Sequence, residues 1–226
     1  MGFVSAAVAW FADAANWSGP GGIPQRLLEH VLVSGLAMII ALAIVLPLGL
    51  WIGHRRRGAA VAVGLAGLGR AVPTLAAIAI VLPITAAYDP QLGFKLYPVV
   101  LAMILLAAPP ILVNAYTGIV EVDPDLVEAA RGMGMTGPQV LGRVELPLAL
   151  PVVIGGIRSA TVQVIATATL GSIFGFGGLG RFLIDGIANH DTGQIFGGVV
   201  LVAALALVAE AGLAGLQRVL APARGG

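Results

Sequence analysis

Residues Gly175 to Gly180 read GFGGLG, which fits G-x-G-x-x-G letter for letter. In the right setting this spacing binds the pyrophosphate of a dinucleotide, because glycines admit a close backbone approach and the following helix offers its free amides. The setting required is a strand before the turn and a helix after it, inside a βαβ unit. Other reactive residues are few. His30, His54 and His190 are too scattered to suggest a metal site, there is no cysteine, and neither HExxH nor GxSxG occurs. The only lysine, Lys95, stands in GFKLY, so there is no G-x-x-x-x-G-K-[ST] phosphate loop and no ATPase motif. No catalytic constellation remains for an enzyme.

The elements that must position these residues follow from composition. The chain is 58% hydrophobic and 10% charged with a mean hydropathy of +1.00, whereas soluble domains carry about 25% charged residues. This is the composition of an integral membrane protein. Twelve basic and 11 acidic residues leave a net charge of +1, which gives no field for nucleic acid. The absence of cysteine excludes a disulfide framework.

A helix needs about 20 apolar residues to cross the hydrocarbon. Val31 to Gly53 contains no charged residue and is followed by HRRRG; the arginines belong in the cytoplasm, so this span runs from outside to inside. The next apolar stretch is interrupted by Arg70 and VPT, which predicts an interfacial helix to about residue 70, with Arg70 snorkelling, and a short span from Val72 to Ala87. Lys95 to Ile119 returns the chain inward, Leu148 to Ser172 goes out, and Gln194 to Leu216 comes back. Five spans result, in an all-α protein with its N-terminus outside and its C-terminus cytoplasmic. Arg55, Arg56, Arg57, Arg131, Arg143, Arg218 and Arg224 then lie inside, and Arg26, Lys95 and Arg181 outside. Residues 1–29 lack a basic n-region and carry Asp13, which argues against a cleaved signal peptide. They are expected to form an extracytoplasmic arm with Trp10 and Trp17 at headgroup depth. Residues 30–226 form the transmembrane domain. GFGGLG therefore follows a membrane helix, where no parallel sheet can be built, and its glycines are expected to turn the chain sharply, buried in protein.

The one long polar stretch between spans, residues 120–147, overlaps the sequence VDPDLVEAARGMGMTGPQVLGRVELPLALP, which runs from Val122 to Pro151. Asp123 before Pro124 suits an N-cap followed by a first-turn proline, and Asp125 sits at the positive end of the helix dipole. The helix should break at Gly132, Gly134 and Gly137. Thr136 and Gln139 have capping-box spacing, so a second helix should start near Gly137 and run to Leu146, with Pro147 and Pro151 shaping its entry into the next span. On the residues alone, this is a helical hairpin in the cytoplasm.

The spacing Glu128-Ala129-Ala130, three residues, Gly134, nine residues, then Val144-Glu145-Leu146-Pro147 resembles the EAA loop of bacterial ABC importer permeases. The resemblance extends from about residue 30 onward. The stretches AVPTLAAIAIVLPI, NAYTGIVEVDPDLVEAARGMGMT and LGSIFGFGGLGRFLIDGI are similar to permeases of osmoprotectant importers, which carry glycine betaine, choline or carnitine. The methionine importer permeases share the five-span layout and are the alternative. Membership would imply the type I ABC importer permease fold in the bacterial cytoplasmic (inner) membrane. It would imply a coupling loop inserted into an ATP-binding cassette subunit through Glu128, Ala129, Ala130, Gly134, Leu146 and Pro147. It would also imply an extracytoplasmic solute-binding protein, a second permease chain (identical or paralogous), and no cofactor on this chain, with ATP and Mg on the partner. A passive channel would need no such loop.

Polar residues at membrane depth are costly and serve a cavity or a partner. Thr161, Gln163 and Thr167 line a translocation pathway or bond between helices. Asn114 and Tyr116 carry the same pair of readings. Arg158 and Glu210 are structural charges, Arg158 seeking a loop carboxylate and Glu210 a basic group near the cytoplasmic end. Arg181, Asp185, His190 and Asp191 fall in the outer loop, where a binding protein docks or solvent covers them.

Overall fold

The computed structural model describes residues 2–56, 58, 60, 64, 67 and 73–220. The expectations for Arg57, Arg70, Arg224 and the segment from residue 68 to the start of the second span at Val72 fall outside the described residues. Its longer helices are α1 (Phe3–Ala12), α2 (Ile23–His54), α3 (Thr74–Tyr88), α4 (Tyr97–Val120), α5 (Pro124–Gly132), α6 (Leu146–Ala168), α7 (Gly180–Ala188) and α8 (Thr192–Leu220). No strand occurs among the described residues.

Among the described residues, four helical stretches are long and apolar enough to cross a membrane: Ile23–His54, Leu92–Val120, Gly137–Phe174 and Thr192–Leu220. The fifth expected span is α3, whose 15 residues reach only about 22 Å at the helical rise, short of a full crossing by themselves. α4 is central, held between α2 and α6, with α3 against its flank; α8 lies on α6 and carries α1 and α7. The main core joins Val33, Ala37, Met38, Ala41 and Val45 of α2 to Val99, Met103, Ala107 and Ile111 of α4 and to Ala160, Val164 and Ala168 of α6. Five of these twelve residues are alanine, which lets the helices approach closely where lipid gives no hydrophobic drive between them and packing must supply the attraction.

Helix α2 starts at Ile23, eight residues before the expected Val31. Charge was expected to delimit the span, yet Arg26, Glu29 and His30 extend the helix because they meet protein rather than lipid. Arg26 pairs with Glu29 at 2.9 Å, and His30 is completely buried. The N-terminal residues also depart from expectation. Trp10 is buried in the protein interior, edge-on to Phe182 with ring centroids 5.1 Å apart. A Cβ on Gly197 of α8 would stand 2.2 Å from the Trp10 ring, so the bare glycine backbone forms the slot that takes the indole. Trp17 remains half-exposed, its indole N–H donating to the Phe11 carbonyl at 2.8 Å.

Candidate functional site: the 123–147 hairpin and the polar face of α6

Asp123 caps α5 as its sequence requires, the side chain accepting from the Asp125 amide at 2.9 Å, with Pro124 in the first turn. The helix ends in a Schellman motif. The Met135 amide donates to the Ala130 carbonyl at 3.2 Å and the Gly134 amide to the Arg131 carbonyl at 2.9 Å. Gly134 sits at φ +87° with nothing within 4 Å of a would-be Cβ, so glycine is needed there for its left-handed backbone and not for space. Beyond the turn, the Thr136 amide donates to Gln139 Oε1 at 2.8 Å, the expected capping-box contact.

The second arm differs from expectation. It does not stop at Leu146: Gly137–Val140 is α-helical, Leu141–Glu145 is a π turn, and α6 follows without a break. Pro147 has no N–H, which would end an ordinary helix. The π turn absorbs the lost bond, with the Leu146 amide reaching back five residues to the Leu141 carbonyl. Counted to Phe174, the continuous helix has 38 residues and spans about 57 Å, well beyond a hydrocarbon core of about 30 Å.

The hairpin has an inner and an outer face. Val127, Ala130 and Val140 are buried against Ile119, Val122, Ala149 and Val153. Glu128 and Ala129 are exposed, as are Leu126, Met133 and Gly134. Ala130 was expected on the contact surface with Glu128 and Ala129; at 2% exposure it instead fills the hairpin's own core, since three consecutive helical residues cannot share one face. Leu146 is half-buried and Pro147 exposed at the start of α6.

The sequence reading missed one contact at the hairpin's base. Glu145 is fully buried, and its Oε2 lies 2.5 Å from Nδ1 of His54 at the end of α2. Two residues later, the Arg56 guanidinium donates to the Val122 carbonyl at 3.2 Å. A charged residue on the apolar-facing side of a helix, inside VELP, was the available signal.

On α6, Gln163 and Thr167 are four residues apart and share a face with Ser159. Gly155, Arg158, Ser159, Val162, Gln163 and Glu210 border a cleft of about 600 Å³. Thr161 lies elsewhere. It borders a separate apolar cavity of about 450 Å³ with Ser34, Met38 and Leu205, and its hydroxyl donates back to the Ile157 carbonyl at 2.8 Å. Arg158 pairs with Glu210 and Gln217 of α8 rather than with a loop carboxylate. Asn114 donates to the Pro110 carbonyl of its own helix at 2.8 Å, and Tyr116 packs on the main core.

At the other end of the bundle, the glycine-rich stretch forms a closed turn. The Gly178 amide donates to Glu29 Oε2 at 2.8 Å and the Leu179 amide to His30 Nδ1 at 3.2 Å. Two amides that could cradle a phosphate in a nucleotide site are thus taken by α2 side chains. A Cβ on Gly177 would meet the Glu29 carboxylate at 2.0 Å. Nearby, Arg181 pairs with Asp185, and Asp191 caps α8 by accepting from the Gln194 amide at 3.0 Å.

Comparisons with known proteins cover the hairpin, the long helix and most of the chain. The choline transport system permease protein OpuBB of Bacillus subtilis is 36% identical, over 90% of each chain. The carnitine transport permease protein OpuCB of Listeria monocytogenes is 37% identical over 86% of each. The osmoprotectant import permease protein OsmW of Salmonella typhimurium is 35% identical over 89% of this chain and 93% of its own length. In three dimensions, the inward-facing MetNI methionine ABC transporter aligns with a TM-score of 0.79 at 20% identity, covering 88% of this chain and 96% of that one. Residues 45–225 match the family described as binding-protein-dependent transport system inner membrane component. The chain belongs to that family: it is an inner-membrane permease subunit of an ABC importer.

Proposed function

We propose that this permease passes osmoprotectant quaternary amines of the glycine betaine, choline and carnitine type, delivered by an extracytoplasmic binding protein and driven by a separate ATPase subunit. The names of relatives at 32–37% identity across most of the chain support the substrate class. A quaternary ammonium is held best by aromatic faces, and this chain has only 7 Phe, 3 Tyr and 3 Trp, dispersed along its length. Selection therefore rests with the binding protein, and this subunit offers a weak passage in which Gln163 and Thr167 face the solute. The N-terminus lies outside and the hairpin and C-terminus in the cytoplasm, consistent with the arginines that follow α2.

The observation that carries the reading is the outer face of the hairpin. Glu128 and Ala129, beside the Schellman turn at Gly134, form an exposed surface on an otherwise self-satisfied element. In our reading this face docks in the ATPase subunit, which holds the ATP and Mg; this chain holds no cofactor. Ala130 supports the face from beneath, and Leu146 and Pro147 anchor it to α6. One chain supplies one such hairpin, so two permease chains serve two ATPase subunits.

A pull-down of the detergent-solubilised permease tests this, with wild type beside Glu128→Arg and Gly134→Trp and the co-purifying chains identified by mass. The ATPase subunit and a second permease chain should accompany wild type, and the ATPase subunit should be lost from both variants. Three identical results, with the permease alone, would remove the docking face. Uptake of radiolabelled choline and glycine betaine should fall on deletion of the gene; a defect confined to methionine would overturn the substrate class.

A further inference from the structure

The end of α2 grips the hairpin at both of its roots. Val122 stands where the chain enters the hairpin from α4, and Arg56 donates to its carbonyl at 3.2 Å. Glu145 stands where the chain leaves for α6, and His54 binds its carboxylate at 2.5 Å. With a carboxylate as acceptor, the imidazole hydrogen must sit on Nδ1. Nε2 then faces Gly137 at the start of the second arm, where a Cβ would stand 3.3 Å away. The imidazole is thus lodged between both ends of the second arm's first two turns.

Three observations indicate that this contact does more than hold the fold. Glu145 closes a π turn, an irregularity that recurs at functional positions in helices. The carboxyl group is fully buried, with Oε1 lacking a hydrogen-bond partner among the described residues; burying a polar pair this incompletely satisfied is a poor way to gain stability, and an apolar pair of similar volume would serve as well or better. What a polar pair supplies is direction and register, since a short hydrogen bond cannot slide as an apolar contact can. Finally, the opposite end of the same helix is fixed to the glycine-rich turn through Glu29 and His30, and the 32 residues of α2 make a strut of about 48 Å.

We propose that His54 and Glu145 are positioning residues forming the joint through which a displacement of the hairpin drives α2 and, along it, the glycine-rich turn at the far end of the bundle. This rests on the hairpin docking an ATPase subunit, as read above. The residues touch neither nucleotide nor solute. Their part is to make the hairpin and α2 move as one body.

The chain has no cysteine, so Ile173→Cys, at a half-exposed position beside the turn, gives a single thiol. Its rate of labelling is compared with and without a non-hydrolysable ATP analogue, in membranes holding the full complex. The backgrounds are wild type, Glu145→Gln, and His54→Leu with Glu145→Leu. Wild type should show a nucleotide-dependent change in rate. Glu145→Gln, which keeps size and an acceptor oxygen, should keep most of it. The double leucine variant should retain the ATPase subunit and lose at least about fivefold of the response, since its packing survives but its register does not. A full response in the double variant, no response in wild type, or loss of the ATPase subunit from a double variant present at normal amounts would overturn the joint. If wild type binds no ATPase subunit at all, it is the docking reading that has failed.

Discussion

Helix α2 holds a loop at each end, and the two loops are finished to different degrees. At the glycine-rich turn, polar groups close on each other. Glu29 takes the Gly178 amide, and His30 takes the Leu179 amide with Nδ1 while its Nε2 donates to the Ile165 carbonyl at 2.9 Å. One imidazole tautomer satisfies both of its contacts, and the amides are left nothing to offer a ligand. At the hairpin, the inner face is also buried, yet Leu126, Glu128, Ala129 and Met133 remain exposed. A loop that satisfies itself is part of the scaffold. A loop that caps its backbone carefully and leaves a mixed apolar and acidic face open offers, in the function proposed above, that face to another protein.

The comparison breaks first at His30. His30→Leu leaves a buried amide and a buried carbonyl without partners, each costing about 1–3 kcal/mol, so this substitution should produce the largest loss of thermal stability in detergent. A variant melting with wild type would show that the turn is not held by α2. The next effect is at Gly177. An added methyl meets the Glu29 carboxylate, and Gly177→Ala should cost about 1–3 kcal/mol by overpacking. A double-mutant cycle sharpens this: in a Glu29→Ala background the nearest obstacle is gone and only the flexible Arg26 guanidinium, 2.9 Å from the added methyl, remains, so the same methyl should cost less. Equal costs in both backgrounds would place the strain elsewhere.

The sequence was most legible where one rule acted alone. Asp123, Pro124, Gly134, Thr136 and Gln139 each marked a cap or a stop, and the structure uses each at its expected place. Reading failed where a distant partner overrode a local rule. Charge should have excluded Glu29 and His30 from a span, but amides from residues 178 and 179 receive them across the fold. Trp10 looked like an interfacial anchor until Gly197 offered it a slot. Pro147 looked like the close of a helix, and a π turn carried the helix past it. Thr161 and Gln163 were separable by the helical period alone, but nothing local could say which of their faces met an apolar cavity and which met the polar cleft.

The smallest stability effects should fall on the hairpin's outer face, where they also separate the two ends most cleanly. Gly134→Ala meets no neighbour, so its cost is confined to holding an alanine at a left-handed φ, about 1–2 kcal/mol. Glu128→Arg changes an exposed side chain with no intramolecular hydrogen bond in the described structure, and should alter stability by no more than about 0.5 kcal/mol. Co-purification of the ATPase subunit should follow the reverse order. It should survive Gly134→Ala in part, because the turn can still form under strain, and disappear with Glu128→Arg, because a reversed charge on a docking face repels what the acid attracted. Melting temperature and bound ATPase subunit measured on the same preparations therefore distinguish the ends: at the glycine-rich turn the two should fall together, whereas at the hairpin the partner should be lost from a permease that remains folded.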